Sequence, residues 1–402
     1  MIYEKSQWIG EDYLKTGDQA YIKALNRRII IETILKDRSI SRAQLSKVTG
    51  LNKATITSQI NELLEEGLVE ETKLDKSTGG RKPILLSLKK EAGYALGIEV
   101  DVDRIYFLIT NLYGEIIQKE VLLFDTTSYE KTKKILLEKI RDYAKEYAHG
   151  SYGLVGAGIG IHGLVDQQGK IIFVIHSNWR NVDLKEDLQK EIDIPIFIDN
   201  NTNYCAYGEK TFYIHTPNIL CLTISTGIGL GIIMEDKIYK GFHGFAGEIG
   251  HMIIHRDGKQ CTCGNLGCWE QYASERAFLL QLAELKGKDF CTVEELVQGI
   301  QQKDSLTLHA LNEFAKNLSI GINNVINTFN PETIIINSHI IPVYPYLMEE
   351  IKNYLRSSMN DYQYLLYSRL GQDACTLGGS AVVIKHFLKI SDLNLAKEES
   401  DF

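Results

Sequence analysis

Long apolar runs, prolines and a leader-like N-terminus are what this 402-residue sequence lacks. No uninterrupted apolar run approaches the roughly 20 residues that a membrane-spanning helix needs. The first residues include Glu4, Trp8 and Glu11, rather than the basic and then apolar order of a signal peptide. Only six prolines are present, which argues against disordered linkers. We therefore expect a folded cytoplasmic protein with no membrane association.

Cysteine is also scarce, and its placement is uneven. Three of the seven cysteines lie within eight positions, which favours metal ligation in a reducing compartment over a disulfide framework. Ten residues after His251 come Cys261, Cys263 and Cys268. One imidazole and three thiolates form a closed tetrahedral set for zinc, with no position left open for catalysis. The sequence therefore predicts a structural Zn²⁺.

The residues around these ligands are informative as well. Gly264 and Gly267 are expected to let the backbone bring the three thiolates to one point. Two acidic residues, Glu248 and Glu270, flank the ligands without being required by the metal. Their carboxylates are therefore available for another role.

Charge is distributed asymmetrically along the chain. Residues 21–90 hold fourteen Lys and Arg against eight Asp and Glu, a surplus of six positive charges, although the whole chain has a net charge of −8. The remainder of the chain is therefore at −14. A basic head on an acidic body is typical of a DNA-binding regulator. A solvated charged surface without a partner is the alternative.

The basic segment has the pattern of a winged helix. Apolar spacing from Leu25 to Leu35 predicts one helix, and Ser41 with Gln44 forms a capping box that begins a short second helix. A turn containing Gly50 precedes Asn52, the predicted N-cap of a third helix over residues 53–65. Two strands follow, at 67–72 and 83–88, joined by a basic loop. This order indicates a winged helix-turn-helix, although a structural three-helix subdomain would have the same apolar spacing.

The predicted DNA contacts lie on the third helix and on the wing. Small polar and basic side chains on the face opposite the apolar residues could meet base edges or phosphates, and basic residues of the loop could follow the phosphate backbone or enter the minor groove. The predicted contacts are Lys53, Thr55, Ser58, Asn61, Arg81 and Lys82.

From residue 94 onward the sequence predicts a duplicated α/β architecture. Three strands at 94–100, 105–111 and 116–123 precede a helix at 129–148 and a buried strand at 154–161. The order returns with strands at 218–225, 229–234 and 237–239, helices at 275–285 and 306–329, and a strand at 333–337. We expect two lobes with a cleft between them. The predicted domains are residues 1–90 and 91–402.

A glycine motif at residues 158–163 matches G-x-G-x-x-G directly after a predicted strand. A dinucleotide-binding motif requires a helix to begin at the glycines. Residues 164–169 are instead turn-like, and another strand is predicted at 170–175. Close approach of the backbone to a small ligand at Gly163 is the preferred interpretation.

Several motifs together resemble the ROK family, which joins sugar kinases and transcriptional repressors on an actin-like, two-lobed fold. The resemblance extends over nearly the whole chain. Besides the winged helix it rests on four motifs: residues 198–203 before Gly208 and Glu209, the glycine loop 225–231, the pair Glu248 and His251, and the cysteine cluster. Residues 177–180, 224–229, 268–270 and 272–275 are most similar to those of the xylose repressors of Gram-positive bacteria.

The resemblance implies roles for individual residues. A sugar would be bound by Gly163, Asn200, Asn201, Glu248, His251 and Glu270, and zinc by His251, Cys261, Cys263 and Cys268. Carboxylates, amides and an imidazole can pair the ring hydroxyls of a sugar, which donate and accept at once. Zinc would fix the loop that carries the two glutamates.

Departures from the family pattern separate a kinase from a repressor. ROK kinases have an Asp base at the position of Asn201, and an amide has no basic lone pair for that role. Residues 99–103 contain three carboxylates and no glycine where a phosphate loop would be. Residues 337–339 replace a Gly-Gly pair expected near adenine, and His162 replaces a Pro. The glycine loop at 225–231 survives, and a tight turn between strands explains it without a nucleotide.

The sequence therefore predicts a repressor and not an enzyme. We expect it to bind a palindromic operator as a homodimer or homotetramer. A sugar, with xylose as the first candidate, would enter the cleft, change the angle between the lobes and release the protein from DNA. The alternatives are an ROK sugar kinase with a regulatory head, and a repressor that responds to another sugar or to a protein partner.

Overall fold

A computed structural model describes residues 19–73 and 84–396. The chain forms two structural units. The first extends to Lys89 and includes the segment Leu388–Ser391, and the second comprises Lys90–Phe387 and the residues from Asp392 onward. The predicted boundary near residue 90 did not foresee the return of this segment. It belongs with the first unit because the Ser391 amide and hydroxyl both donate to Glu32, at 2.7 and 2.6 Å.

The described part of the first unit contains three helices and a small antiparallel sheet. Its elements are α1 (Gln19–Asp37), β1 (Ile40–Ser41), α2 (Arg42–Thr49), α3 (Lys53–Glu65), β2 (Val69–Lys73) and β3 (Ile84–Leu88), with strand order β1-β3-β2. The Ser41–Gln44 capping box, the turn at Gly50 and the Asn52 cap are present as predicted, and Gly50 is left-handed with φ 72°. The short strand β1 was not predicted. The wing loop, including Arg81 and Lys82, lies outside the described residues.

The first lobe of the second unit is built on a five-stranded sheet. Its elements are β4 (Gly93–Val100), β5 (Arg104–Asn111), β6 (Ile116–Leu123), α4 (Tyr129–Glu146), β7 (Gly153–Ile161), α5 (Leu184–Gln189) and β11 (Ile196–Asn200). A small antiparallel sheet is inserted between β7 and α5: β8 (Leu164–Val165), β9 (Ile171–Val174) and β10 (Trp179–Val182). Apolar side chains of β4, β5, β7 and β11 pack with α4 and α5 into one core.

The second lobe has its own five-stranded sheet and core. Its strands are β12 (Ile219–Ile224), β13 (Ile228–Met234), β14 (Lys237–Ile238), β15 (Thr333–Ser338) and β16 (Tyr364–Tyr367). Its helices are α7 (Glu270–Ala273), α8 (Glu275–Leu285), α9 (Val293–Gln301), α10 (Ser305–Phe329), α11 (Ile340–Val343) and α12 (Leu347–Tyr354). The second unit also contains the helices α6 (Asn201–Phe212) and α13 (Ala374–Leu388).

The two large sheets share one topology. Their orders, β6-β5-β4-β7-β11 and β14-β13-β12-β15-β16, both begin with an antiparallel meander of three strands followed by two parallel strands. Helix α6 packs on strands of both sheets. The predicted duplication into two α/β lobes is confirmed. A cleft at the ends of such strands is where ligands bind in open α/β folds.

The glycines of β7 serve helix packing instead of a dinucleotide. A Cβ on Gly158 would lie 2.4 Å from the carbonyl oxygen of Gly379, and one on Gly160 would lie 2.3 Å from Cys375 Sγ. Strand β7 continues through both glycines to Ile161, and no helix begins there. Of the three motif glycines, only Gly163 lines the cleft described below. Among the described residues, no helix is both long and apolar enough to cross a membrane.

Candidate functional site

A cleft of about 420 Å³ lies in the second unit, between residues of the two lobes. All six predicted sugar contacts line it: Gly163, Asn200, Asn201, Glu248, His251 and Glu270. They come from the segment after β7, the start of α6, the short turn at residues 248–251 and the start of α7. Residues distant in sequence therefore meet around one cavity of the size typical of small-molecule sites.

Asn200 positions the first-lobe side of the cleft. Its Nδ2 donates to the Gly163 carbonyl oxygen at 2.9 Å, and its Oδ1 accepts from the Thr202 amide at 2.8 Å, which caps α6. The Thr202 hydroxyl donates to the same oxygen at 2.6 Å. Because its oxygen already accepts twice, Asn200 has only its second amide N–H left for a ligand.

Glu248 and His251 offer polar atoms to the cleft. The Glu248 carboxylate has no hydrogen-bond partner within the parts of the chain that the structure describes. Desolvation raises its pKa above the usual range, and the charge of Glu270 adds to this effect while His251 opposes it. His251 Nδ1 lies 3.5 Å from Cys261 Sγ, which leaves Nε2 for the cleft. One imidazole can therefore face both a metal and a sugar.

The four predicted zinc ligands meet at one point. The ligand atoms of His251, Cys261, Cys263 and Cys268 all lie within 4.8 Å of one another. Cys263 Sγ and Cys268 Sγ are 3.6 Å apart. A tetrahedral site with Zn–S bonds of about 2.3 Å has edges of about 3.8 Å, so the donor set fits Zn²⁺ in number, type and spacing.

The loop that brings these ligands together depends on two left-handed glycines, as predicted. Gly264 has φ 101° and Gly267 φ 81°. A Cβ on Gly267 would also lie 1.7 Å from the His255 carbonyl oxygen. The loop is anchored by Trp269, which is fully buried and donates from Nε1 to the Asn317 carbonyl oxygen of α10 at 2.7 Å. This anchor fixes the two residues next to Trp269 in sequence, Cys268 and Glu270.

Glu270 connects the cysteine cluster to the cleft. Its Oε1 accepts from Cys261 Sγ at 3.1 Å and lies 3.5 Å from His251 Nδ1. The Cβ of any residue replacing Gly227 would lie 3.0 Å from Oε2. Gly227 therefore leaves the space that this carboxylate occupies at the cleft wall.

The other end of the cleft is occupied by polar groups that pair with each other. His162 Nε2 lies 2.8 Å from Glu99 Oε1 and 3.2 Å from Asn201 Nδ2. Burial lowers the pKa of His162, but the hydrogen bond to Glu99 and the charges of Glu99 and Asp101 outweigh burial, so the pKa is raised overall. Three carboxylates were predicted to stand where a phosphate loop would be, those of Glu99, Asp101 and Asp103. Asp103 instead pairs with Arg104.

The residues that replace the expected Gly-Gly pair also form hydrogen bonds with other protein groups. The Ser338 hydroxyl donates to Glu275 at 2.7 Å, and His339 Nδ1 lies 3.1 Å from the same carboxylate. Asn337 Nδ2 donates to the Gly371 carbonyl oxygen at 3.0 Å. The remaining cavity between these groups and Glu99 is about 70 Å³, which leaves little room for a nucleotide.

The tight turn predicted to explain the glycines of residues 225–231 accounts for only part of them. Gly227 lies in the turn between β12 and β13. Gly229 and Gly231 instead lie within β13, where a Cβ would come within 2.4 Å and 2.2 Å of Thr202. Close packing of α6 on β13 therefore requires two of these glycines, and the tight turn explains only the first.

In the first unit, α3 presents Lys53, Ser58 and Asn61 to solvent, whereas Thr55 is half-buried. Asn61 is not free, because its Oδ1 accepts from Arg42 at 3.1 Å. Arg42 also pairs with Glu71 of β2 at 2.9 Å. Sequence reasoning missed Arg42, whose side chain links α3 to the wing strand.

Sequence reasoning also missed several residues that line the cleft. Phe173 and His176 come from the inserted sheet and the turn after it, and Thr226 comes from the glycine loop. The alternation of β9 could have placed Phe173 on the same face as Ile171. The contribution of this inserted sheet to the cleft follows only from the tertiary fold.

Comparison with known proteins agrees with this geometry. The family model described as "ROK family" matches residues 95–386, well over half of the chain. This chain belongs to the ROK family. A second model, described as "Winged helix-turn-helix DNA-binding", matches residues 25–70. The ROK portion therefore spans both lobes, and the DNA-binding motif covers the three helices of the first unit.

Three relatives are similar to this ROK chain over nearly its full length. The Xylose repressor of Bacillus subtilis (strain 168) is 42% identical over 92% of this chain and 98% of its own. The Xylose repressor of Bacillus spizizenii is 43% identical over 93% and 98%. A solved ROK family transcriptional regulator, described as a homologue of the E. coli MLC protein, is 27% identical with a TM-score of 0.76, covering 92% of this chain and 97% of that one.

Proposed function

We propose that this ROK protein is a transcriptional repressor that binds operator DNA through its winged helix and releases it when a pyranose, xylose in the first place, occupies the cleft. The observation that carries the proposal is the contrast within one cleft. Glu248 and His251 Nε2 are available to a ligand, while the other end is closed by the His162–Glu99 pair. Relatives named as xylose repressors support the choice of sugar.

The proposal includes a structural Zn²⁺ held by His251, Cys261, Cys263 and Cys268, which lie together at suitable spacing. The ion would supply no reaction, because four protein ligands complete its coordination. Its role is to fix the loop that carries Glu248 before the sugar arrives. A preset carboxylate costs less ordering entropy on binding than one on a mobile loop.

Absence of kinase activity belongs to the same proposal. Asn201 stands where the family pattern of ROK kinases has the catalytic Asp, and its amide cannot take a proton from a sugar hydroxyl. Its Nδ2 also lies 3.2 Å from His162 Nε2, beside the self-paired end of the cleft. A nucleotide would have to displace the His162–Glu99 pair before its phosphates could enter.

We expect sugar binding to change the angle between the lobes and thereby weaken DNA binding. Couplings of this kind amount to about 1 to 3 kcal/mol and are reciprocal, so operator DNA should lower the affinity for sugar by the same factor. A palindromic operator would be bound by a homodimer or homotetramer, because two-fold related half-sites match two-fold related winged helices.

The proposal is tested by fluorescence anisotropy on DNA selected by the protein from a random-sequence pool. Xylose should weaken binding by about 5-fold to 150-fold, while glucose and N-acetylglucosamine measure effector selectivity. The same preparation is incubated with ATP and each sugar, and ADP release should not exceed that of a sugar-free control. Xylose without effect on DNA binding would contradict the inducer assignment, and sugar-dependent ADP release would contradict the absence of catalysis.

A further inference from the structure

A second cavity of about 140 Å³ adjoins the sugar cleft. The two cavities share six lining residues: Ile175, His176, Thr226, Gly227, Thr262 and Glu270. None of the six sugar contacts except Glu270 belongs to this second cavity. A group attached to a sugar in the main cleft could therefore extend past Glu270 into it.

Two positive side chains line the second cavity. Neither Arg276 nor Lys259, both of which are exposed, has a carboxylate within 4.0 Å among the residues that the structure describes. Arg276 lies in the first turn of α8, and Lys259 stands 5.4 Å from the centre of the Tyr272 ring. Charged groups without partners beside a cavity are available to a ligand of opposite charge.

The lining of the second cavity contains a single negative side chain, that of Glu270. Its Oε1 already accepts from Cys261 and lies close to His251. The side chains of Arg276 and Lys259 therefore leave the cavity with a net positive charge even when His176 is neutral.

An apolar surface completes the cavity. Leu280 is 50% exposed and Ile175 39% exposed, although both are aliphatic side chains that are usually buried. The C–H face of a sugar ring packs on such a surface, while a ring hydroxyl can reach Thr262, which lines both cavities. The lining thus fits a sugar unit that also carries a negative group.

We propose that this second cavity binds an anionic group carried by the sugar in the main cleft, as in an acidic disaccharide with a uronic acid unit or in a phosphorylated sugar. The inference rests on the proposed sugar-binding role of the main cleft. A guanidinium offers two parallel N–H donors to either anion. The protein would then respond to acidic sugar derivatives more strongly than to neutral ones of the same length.

The experiment is isothermal calorimetry with four ligands: xylose, neutral xylobiose, a glucuronic acid–xylose disaccharide and a xylose phosphate. Three proteins are compared at low salt: wild type, Arg276→Gln and the control Arg356→Gln. The control alters an exposed arginine that stacks near Tyr354. We expect at least one anionic ligand to bind the wild type about tenfold more tightly than xylobiose, the scale of one charge-assisted hydrogen bond. This gain should vanish in Arg276→Gln and in high salt, and persist in Arg356→Gln.

Each outcome has a defined meaning. A gain for the uronate or for the phosphate ester that depends on Arg276 supports the proposal and identifies the anion. Equal binding of anionic and neutral ligands, or a gain that Arg276→Gln retains, overturns it. The variant should keep its affinity for plain xylose within about twofold. If wild-type protein fails to bind xylose, the proposed inducer is wrong, while the charged ligands still report on the second cavity.

Discussion

The two ends of the main cleft differ in what their polar groups contact. At the sugar end, Glu248 faces the cavity without a partner among the described residues, and His251 offers Nε2. Where a smaller cavity adjoins the cleft at His162, Glu99 pairs with His162, and His339 pairs with Glu275. Polar groups that pair with each other are already satisfied, whereas an unpaired carboxylate and an imidazole nitrogen that face a cavity can bind a ligand. One family fold can thus keep a binding site at one end and close the other with the protein's own side chains.

The largest effect should follow from removing a metal ligand at the sugar end. Cys263→Ser is expected to lower zinc content and thermal stability together, because metal binding stabilises only the folded loop. Response to xylose should be lost as well. Zinc is measured by atomic absorption and stability by differential scanning calorimetry. Cys291→Ser, which changes a buried cysteine outside the cluster, is the control and should keep its zinc.

Removing the unpaired carboxylate should weaken sugar binding without affecting DNA. Glu248→Gln is expected to lower the affinity for xylose by roughly 10-fold to 100-fold, which corresponds to hydrogen bonds of a charged group worth about 1.5 to 3 kcal/mol. Calorimetry measures the sugar affinity, and anisotropy measures operator binding, which should be unchanged. A Glu248→Gln protein that binds xylose like the wild type would remove Glu248 from the proposed site.

Much of the fold could be predicted because its signals are local. The Ser41–Gln44 capping box, the Asn52 cap and the alternation of the large sheets depend on neighbouring residues. Most predicted elements agree with the observed ones within two residues at each end, although α1 begins at Gln19, six residues before Leu25. The spacing of His251 and the cysteines likewise indicates a cluster from the sequence alone. These features need no knowledge of distant contacts.

Other features could not be predicted because they arise between distant segments. Gly158 meets Gly379 across more than two hundred residues, so its role was assigned to a ligand. The return of Leu388–Ser391 to the first unit depends on a hydrogen bond to Glu32. Asp103 was grouped with Glu99 by its position in sequence, yet its side chain turns to Arg104.

At the closed end, the pair between His162 and Glu99 should make stability depend on pH. Because the folded-state pKa of His162 is raised, its stabilising contribution is complete below the unfolded-state pKa of about 6.5. That contribution is lost as pH rises through the higher folded-state value. Urea unfolding of wild type and His162→Gln from pH 6 to 9 should show a smaller loss of stability with rising pH in the variant. Parallel curves would mean that the pair does not titrate in this range.

The smallest expected effect is that of restoring a catalytic carboxylate. Asn201→Asp should give no measurable ATP-dependent phosphorylation of xylose or glucose, because Glu99 and Asp101, which line the small adjoining cavity with His162, would still repel an ATP phosphate. Coupled ADP detection measures this activity, with the wild type as control. Turnover above background in Asn201→Asp would show that the closed end of the cleft opens to a nucleotide.

The glycines that let α13 lie against the first sheet and against α6 bear on how mutational data should be understood. A Cβ on Gly97 would fall 1.8 Å from the Thr376 carbonyl oxygen, and one on Gly378 would fall 1.8 Å from that of Tyr204. Backbone cannot move aside as a side chain can, so alanine at either position should disable the protein. In a deep mutational scan these positions would be as intolerant as Glu248 while touching no ligand. Loss of function on substitution would therefore suggest a second binding site along this helix where none exists. Only measurements that separate folding from ligand binding would distinguish these glycines from the residues of the cleft.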